Sequence, residues 1–273
     1  MTVFIIAEAG VNHGGNEFNA HELIDAAETA GADACKFQAF TPERLDPPGE
    51  RRDMLKGLKL SEENFRNLAR RCEDVGIEFM ATPFDADWLK FLVDECGMKR
   101  IKIGSGNLDN KPLLTAAGAT DCEIILSTGM ATANNIAEGI SHIGRQAALL
   151  QCTSAYPSDP NEVNLSAMGH LMKFGVGPVG LSLHAPEPAI GIAAVALGAE
   201  LIETHFCLPF PNDGPDLSSS MLPPQFRQMV DGIRLVERAL GDGIKRPMPS
   251  EAKAIEIAQE RKSWRESQAT AAS

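Results

Sequence analysis

The feature that most constrains this chain is a rhythm. Eight short, almost wholly apolar runs alternate with longer segments of helical period. The apolar runs are residues 3–7, 34–39, 77–81, 100–103, 123–126, 147–151, 178–181 and 201–204. Runs this short, apolar at nearly every position, fit strands buried on both faces of a parallel sheet. Apolar residues recur at helical spacing over 20–30, 62–75, 86–95, 112–117, 132–143, 165–173, 189–197 and 223–240. Ser61 is placed to cap one of these helices, with Glu62 and Glu63 in its first turn. Gly31, Gly76, Gly97, Gly118, Gly144 and Gly198 stand where helices should stop. Strict alternation argues for a parallel sheet, and eight such units predict a closed (β/α)8 TIM barrel, an α/β fold. A doubly wound sheet would use about five or six strands with a crossover, and no break in composition marks one.

The 273 residues suit that reading. A barrel of this kind takes about 250 residues, which leaves no room for a full second domain. Residues 1–245 are expected to form the barrel, and 246–273 a tail that is partly helical or frayed, polar and Ala-rich from 263 onward. Lys and Arg number 25 against 37 Asp and Glu, a net charge of −12. That balance disfavours a nucleic-acid surface, so any bound anion must meet a few focused positive groups. No apolar run approaches the ~20 residues that span a bilayer, so no membrane partner is expected. The opening Met1-Thr2-Val3-Phe4-Ile5-Ile6 lacks a basic region and a cleavage site, and reads as a strand rather than a signal peptide. Cys35, Cys72, Cys96, Cys122, Cys152 and Cys207 are scattered without a CxxC pair. They read as reduced, buried thiols of a cytoplasmic protein.

In such barrels the C-terminal strand ends and the loops after them build the active site. Here every run ends in polar groups. The first leads to Glu8, Asn12 and His13; the second carries Lys36 and Gln38; the third ends at Thr82. The fourth carries Lys102 and leads to Ser105 and Asn107, and the fifth ends in Ser127, Thr128 and Gly129. The sixth leads to Thr153, Ser154 and Tyr156, the seventh to Ser182 and His184, the eighth to His205. Two lysines with the hydroxyls of Thr82, Ser105, Ser127 and Ser182 form a phosphate-binding inventory. The alternative is that a lysine pairs with Glu8 or Asp216 as an ion pair inside the barrel. Neighbouring strands lie ~4.8 Å apart, so His184 and His205 could share a metal, or could simply be hydrogen-bonded histidines. His21, His142 and His170 fall on helices or loops outside the mouth and read as surface residues. The stretch Asn212-Asp213-Gly214-Pro215-Asp216 has turn chemistry, and its place makes Asp216 a candidate acceptor for a sugar hydroxyl or a metal-bound water. Tyr156, the one tyrosine in the chain, could stack on a ligand or pin its own loop.

Nine stretches then stand in order from the first strand to the last: IIAEAGVNHGG, GADACKFQAF, GIEFMATPFD, IKIGSGNLDNKPLL, IILSTGMAT, LLQCTSAYPS, VGLSLHA, AVALGAELIETHF and GPD. Together they resemble the sialic acid synthase family, the phosphoenolpyruvate-condensing nonulosonate synthases. The resemblance implies a (β/α)8 barrel and a transferase of carbohydrate biosynthesis. Phosphoenolpyruvate would add through C3 to the open-chain aldehyde of an N-acylhexosamine such as N-acetylmannosamine. Water would attack C2, and phosphate would leave by C–O cleavage. By residue-to-residue match Lys36, Thr82, Lys102, Ser105, Ser127 and Ser182 would hold phosphoenolpyruvate, with Gln38 also in the substrate-binding set. His184 and His205 would act in catalysis by holding a divalent metal, Mn2+ in the family's usual form, with Mg2+ or Co2+ as alternatives. Glu8 would lie near the reacting end of the sugar and handle a proton. Tyr156 and Asp216 would contact the sugar or the metal-bound water.

The chain departs from the family pattern at several points. Leu183 and Ala185 flank His184 where an acid and a hydroxyl are usual, which implies a looser hold on that imidazole. Asn107 replaces a glutamate, Ser154 an asparagine, and Pro209-Phe210 an Asp-Arg-like pair; the loop 41–60 is short. The small antifreeze-like domain that lends an arginine to a partner subunit's sugar site is expected to be missing. The phosphoenolpyruvate half thus matches while the sugar half is altered, which points to an acceptor other than N-acetylmannosamine itself. Two other functions compete: a Schiff-base aldolase or lyase using Lys36 or Lys102, and a non-catalytic sugar- or phosphate-binding barrel. A homodimer through the barrel is expected by analogy alone.

Overall fold

The computed structural model describes residues 2–209 and 214–271. Eight strands close into a parallel barrel in chain order. They are β1 (Phe4–Gly10), β2 (Ala34–Ala39), β3 (Glu78–Pro83), β4 (Arg100–Ile103), β5 (Glu123–Ser127), β6 (Ala148–Cys152), β7 (Val179–Leu183) and β8 (Leu201–His205). Most run one to three residues past the expected apolar stretches. The sequence reading stopped at the first polar residue, but those polar side chains point into the barrel, so the ladder continues through them. The helices are α1 (Glu17–Thr29), α2 (Pro42–Leu45), α3 (Glu50–Leu58), α4 (Glu62–Val75), α5 (Ala86–Cys96), α6 (Lys111–Gly118), α7 (Ala133–Ile143), α8 (Met168–Leu171), α9 (Pro188–Ala196), α10 (Pro223–Leu240) and α11 (Ala252–Ala271).

The period of two along each strand sorts the side chains into two cores. Ile5, Ala7 and Ala9 of β1 face the helices, as do Phe37, Leu126, Leu181 and Ile202. Ile6, Ala34, Met80, Ile125, Ala148, Leu150 and Leu201 fill the barrel interior as an apolar plug. Each such side chain contributes roughly 1.5–3 kcal/mol by leaving water. Glu8, Lys36, Lys102, Ser182 and Glu203 occupy the next inward positions toward the C-terminal end, all buried. The barrel therefore carries a charged layer on an apolar floor.

Two expectations are corrected. Residues 41–60 were read as a loop, but α2 and α3 form there. Leu55 of α3 packs with Val11 and Phe40 over the mouth side. At Gly15, with φ of +74°, a Cβ would lie 2.1 Å from the Gly57 carbonyl oxygen, so this segment rests directly on the loop after β1. The expected helix at 165–173 is broken into a 3-10 turn, the four-residue α8 and a second 3-10 turn; Gly169 inside it weakens the helix. Gly118 ends α6 as expected, though without the left-handed turn by which Gly76 and Gly97 stop α4 and α5. It is the last residue of α6, where a Cβ would fall 2.0 Å from the Ile143 carbonyl oxygen. Of the two alternatives for the tail, helical or frayed, the structure has a helix through Ala271. Its Ala, Glu, Gln, Lys and Arg residues are strong helix formers, and Lys262 and Glu266 pair at i,i+4.

The chain divides into two compact units, Met1–Ala239 and Leu240–Ser273. The second consists of α11 and the segment leading to it, with residues 240–270 all exposed. Ser61 caps α4 as expected, its hydroxyl accepting from the Asn64 N–H at 3.2 Å. All six cysteines are free, five of them buried. No helix among the described residues is long and apolar enough to cross a membrane.

Candidate active site at the C-terminal mouth

Strand register brings the charged residues together. Glu8 of β1 is the backbone partner of Lys36 on β2 and of His205 on β8. Ser182 on β7 is the partner of Cys152 on β6 and of Glu203 on β8. Lys36 Nζ lies 2.6 Å from Glu8 Oε2 and 3.6 Å from Glu203 Oε2, and donates to Thr82 Oγ1 at 2.8 Å. Lys102 Nζ lies 3.3 Å from Glu203 Oε1. The same oxygen accepts from Ser182 Oγ at 3.0 Å. Two ammonium groups and two carboxylates thus form one buried chain in the order Lys102, Glu203, Lys36, Glu8.

The two alternatives for the lysines meet here. Lys36 does pair with Glu8, inside the barrel. Asp216 pairs with neither lysine. Its Oδ2 lies 3.7 Å from His205 Nδ1 and 3.5 Å from Gln38 Nε2, and Gln38 also donates to Glu8 Oε1 at 3.1 Å. Gly10 permits this approach: φ is +54°, and a Cβ there would stand 3.0 Å from Asp216 Oδ2. The partner of Lys102, Glu203, escaped the sequence reading. Its signal was present, because Glu203 is two residues from His205 on β8 and so shares its inward face. Cys152 was missed in the same way; its Sγ lies 4.0 Å from His184 Nε2.

The charges shape one another. Burial alone would strip the Glu203 carboxylate of its charge, but Lys102 and Lys36 reverse that and hold its pKa near about 2. For Glu8 burial wins over Lys36, with Glu203 adding repulsion, and its pKa rises to about 7. Burial opposes charge on Lys36 too, yet Glu203 and Glu8 keep its ammonium above the ordinary lysine value. Burial lowers His205 to about 4, which keeps it neutral.

The hydroxyls divide into used and free. Thr82 and Ser182 serve Lys36 and Glu203. Ser105 lies in a 3-10 turn after β4 and accepts from the Gly129 N–H at 2.9 Å. Ser127, buried at the end of β5, has an Oγ with no hydrogen-bond partner among the described residues. Asn107 Oδ1 accepts from Asn110 Nδ2 at 3.1 Å.

His184 and His205 stand side by side, ring centroids 5.3 Å apart and planes at 62°. His184 Nδ1 lies 2.7 Å from the Thr153 carbonyl oxygen, which places its proton there and turns Nε2 into the mouth. The looser hold expected from Leu183 and Ala185 is thus answered by the backbone of the loop after β6. His205 Nδ1 has no hydrogen-bond partner among the described residues. Tyr156 stacks on His184 at 4.1 Å and meets His205 edge-on at 5.6 Å, so it roofs both rings while remaining half exposed. Asn212 and Asp213, read with Asp216 as a turn, and Phe210 lie outside the described residues.

A closed parallel barrel with a charged, histidine-bearing C-terminal mouth defines the class: a TIM-barrel protein with an enzyme-type site. Comparison narrows it. The NeuB family profile matches residues 23–245. The chain is 38% identical over 274 residues to the N,N'-diacetyllegionaminic acid synthase of Legionella pneumophila, covering 92% of this chain and 77% of that protein. It is 36% identical over 269 residues to the human N-acetylneuraminate-9-phosphate synthase, covering 91% and 74%. The crystal structure of N-acetylneuraminic acid synthetase from Leptospira borgpetersenii in complex with citrate superposes with a TM-score of 0.88 at 36% identity, covering 95% and 92%. The chain belongs to the NeuB family, a family of synthases.

Proposed function

We propose that this NeuB-family synthase condenses phosphoenolpyruvate with the open-chain aldehyde of an N-acylated amino sugar, giving a nonulosonic acid and phosphate. One observation carries the reading. Two buried ammonium groups and the unpartnered Ser127 hydroxyl share one layer below the mouth, and a small polyanion is what such donors hold. Lys102, Lys36, Ser127 and Ser182 bind the phosphate and carboxylate of phosphoenolpyruvate. The lysine–carboxylate chain is already near neutral, so the anion competes with Glu203 and Glu8 for the lysines. Glu8, with a pKa of about 7, can take up a proton as that happens.

In the reaction, C3 of phosphoenolpyruvate bonds to the aldehyde carbon, and the aldehyde oxygen gains a proton. Water adds to C2, and the C2–O bond breaks to release inorganic phosphate. Glu8 at the sugar end holds or delivers the proton. Gln38 and Asp216 orient the sugar, and Tyr156 closes over it, excluding water from the aldehyde.

The histidines support a divalent cation, Mn2+ by preference. The two rings stand 5.3 Å apart, and the nitrogens not tied to the backbone, His184 Nε2 and His205 Nδ1, are the ones that would ligate it as neutral imidazoles. No cluster of three or more His, Cys, Asp or Glu among the described residues is arranged to hold a metal. The protein would supply two imidazoles and leave other positions open. A bound cation would polarise the aldehyde oxygen.

The acceptor is an N-acetylmannosamine-like or diacetamido hexose, as suits the products that the relatives' names give. Six free thiols suit a cytoplasmic location. Phosphate release measured with phosphoenolpyruvate, Mn2+ and a panel of N-acetylmannosamine and diacetamidohexoses tests the whole reading. Saturable, sugar-dependent release is expected. Thermal stabilisation by these ligands without any release would leave a binding protein instead.

A further inference from the structure

The loop after β1 carries Asn12, fully buried and unused by the chemistry above. Its side-chain Nδ2 donates to the Phe206 carbonyl oxygen and to Ser220 Oγ, both at 2.9 Å. Ser220 Oγ in turn donates to the Asp216 backbone carbonyl at 2.7 Å, which also accepts from the Ser219 N–H at 3.1 Å. Phe206 and Met221 form an isolated parallel bridge. Cys207 N–H donates to the Met221 carbonyl, and Met221 N–H to the His205 carbonyl at 2.8 Å. These bonds clip shut the root of the segment that carries Asp216, and Asn12 is inserted into the clip from another strand's loop.

We propose that Asn12 is a positioning residue for Asp216: it sets where that carboxylate stands over the sugar site while leaving the anion site alone. The inference rests on the reading of Asp216 as an acceptor contact. Its basis is connectivity. Both hydrogen bonds of Asn12 Nδ2 run to the segment after β8, and neither goes to Lys36, Lys102, Ser127 or Ser182. An amide at this place can bridge a carbonyl and a hydroxyl at once, because its nitrogen carries two protons. A buried polar side chain that only filled space would be replaceable by an apolar one of equal size; this one ties together two loops that sequence separates by nearly the whole barrel.

The test is steady-state kinetics of Asn12→Ala, Ser220→Ala, Asp216→Ala and the Asn12→Ala/Asp216→Ala double variant. The acceptor is the best of N-acetylmannosamine and the diacetamidohexoses. Asn12→Ala is expected to raise acceptor KM about tenfold, the equivalent of one lost buried hydrogen bond, with phosphoenolpyruvate KM within about twofold of wild type. Ser220→Ala keeps the Phe206 bond and should fold even if Asn12→Ala does not; it is expected to shift acceptor KM in the same direction, by less. In the Asp216→Ala background Asn12→Ala should add nothing to acceptor KM. Equal losses on both substrates, or additive effects in the double variant, would make Asn12 a general fold residue and overturn the proposal. Asp216→Ala without effect on acceptor KM would overturn the reading of Asp216 itself, and the proposal with it. An effect of Asp216→Ala with none from Asn12→Ala or Ser220→Ala would overturn the proposal alone.

Discussion

Glu203 Oε1 lies 3.3 Å from Lys102 Nζ, and its other oxygen lies 3.6 Å from Lys36 Nζ, so one carboxylate stands between both lysines. The geometry makes Glu203 the counter-ion that both lysines share before an anion arrives. Glu203→Gln is expected to destabilise the free protein by about 3 kcal/mol, because removing one partner leaves buried positive charge. Urea unfolding measures the loss. Phosphoenolpyruvate should raise Tm more in the variant than in wild type, since the anion then does the carboxylate's work; an unchanged ligand shift would refute the counter-ion role.

Lys36 also decides between condensation and Schiff-base chemistry. A nucleophilic lysine must be unprotonated at working pH, whereas Glu203 and Glu8 hold the Lys36 ammonium above its ordinary value despite burial. Borohydride reduction during turnover is therefore expected to trap no stoichiometric adduct on Lys36 or Lys102. Peptide mass mapping checks this. Lys102→Met should instead raise phosphoenolpyruvate KM roughly tenfold to a hundredfold, the loss of one charge-assisted bond.

The histidine pair has a test that needs no turnover. Mn2+ is expected to raise Tm saturably, and His205→Gln to abolish that rise while leaving Tm in EDTA nearly unchanged. His184→Gln should behave likewise. A Tm response to Mn2+ that survives both changes would place the cation elsewhere.

His13 gives a pH prediction. It is buried on the loop after β1, its Nδ1 accepting from the Gly15 N–H at 3.0 Å, and burial drives its pKa from 6.5 to about 4. Between those values the unfolded chain binds the proton and the folded chain does not. Stability from this residue is present above pH 6.5 and drains away as pH falls toward 4, by roughly 3 kcal/mol in all. In His13→Gln that part of the pH dependence should vanish from urea-unfolding curves, even though the variant starts less stable at pH 7.

How far the sequence reaches is clear from particular residues. Strand order, closure and the mouth were legible because eight buried strands cannot hide their apolar runs. Lys36, Lys102, His184 and His205 were legible because a charge at the end of such a run is costly without a purpose. Glu203 was not, because it sits inside an apolar-looking run, and only counting in twos back from His205 exposes it. The pairing of Lys36 with Glu8 needed the register between β1 and β2, which no single strand encodes. Helix α3 was invisible for another reason: of its nine residues only Leu55 is buried, so it has almost no periodicity to read.

The apolar plug of Ile6, Ala34, Met80, Ile125, Ala148, Leu150 and Leu201 has a consequence for how the charges behave. It is an insulator closing one end of a cylinder. At the opposite, N-terminal end a cavity of about 390 Å³ carries Arg100 and Arg145, and the plug stands between them and the lysines. Field lines from Lys36 and Lys102 can leave only through the mouth, so the barrel works as a one-ended well that draws anions from a single direction. A polar substitution at Ile125 or Leu150 would puncture the floor, and the expected symptom is weaker anion affinity with every residue that touches the anion still in place.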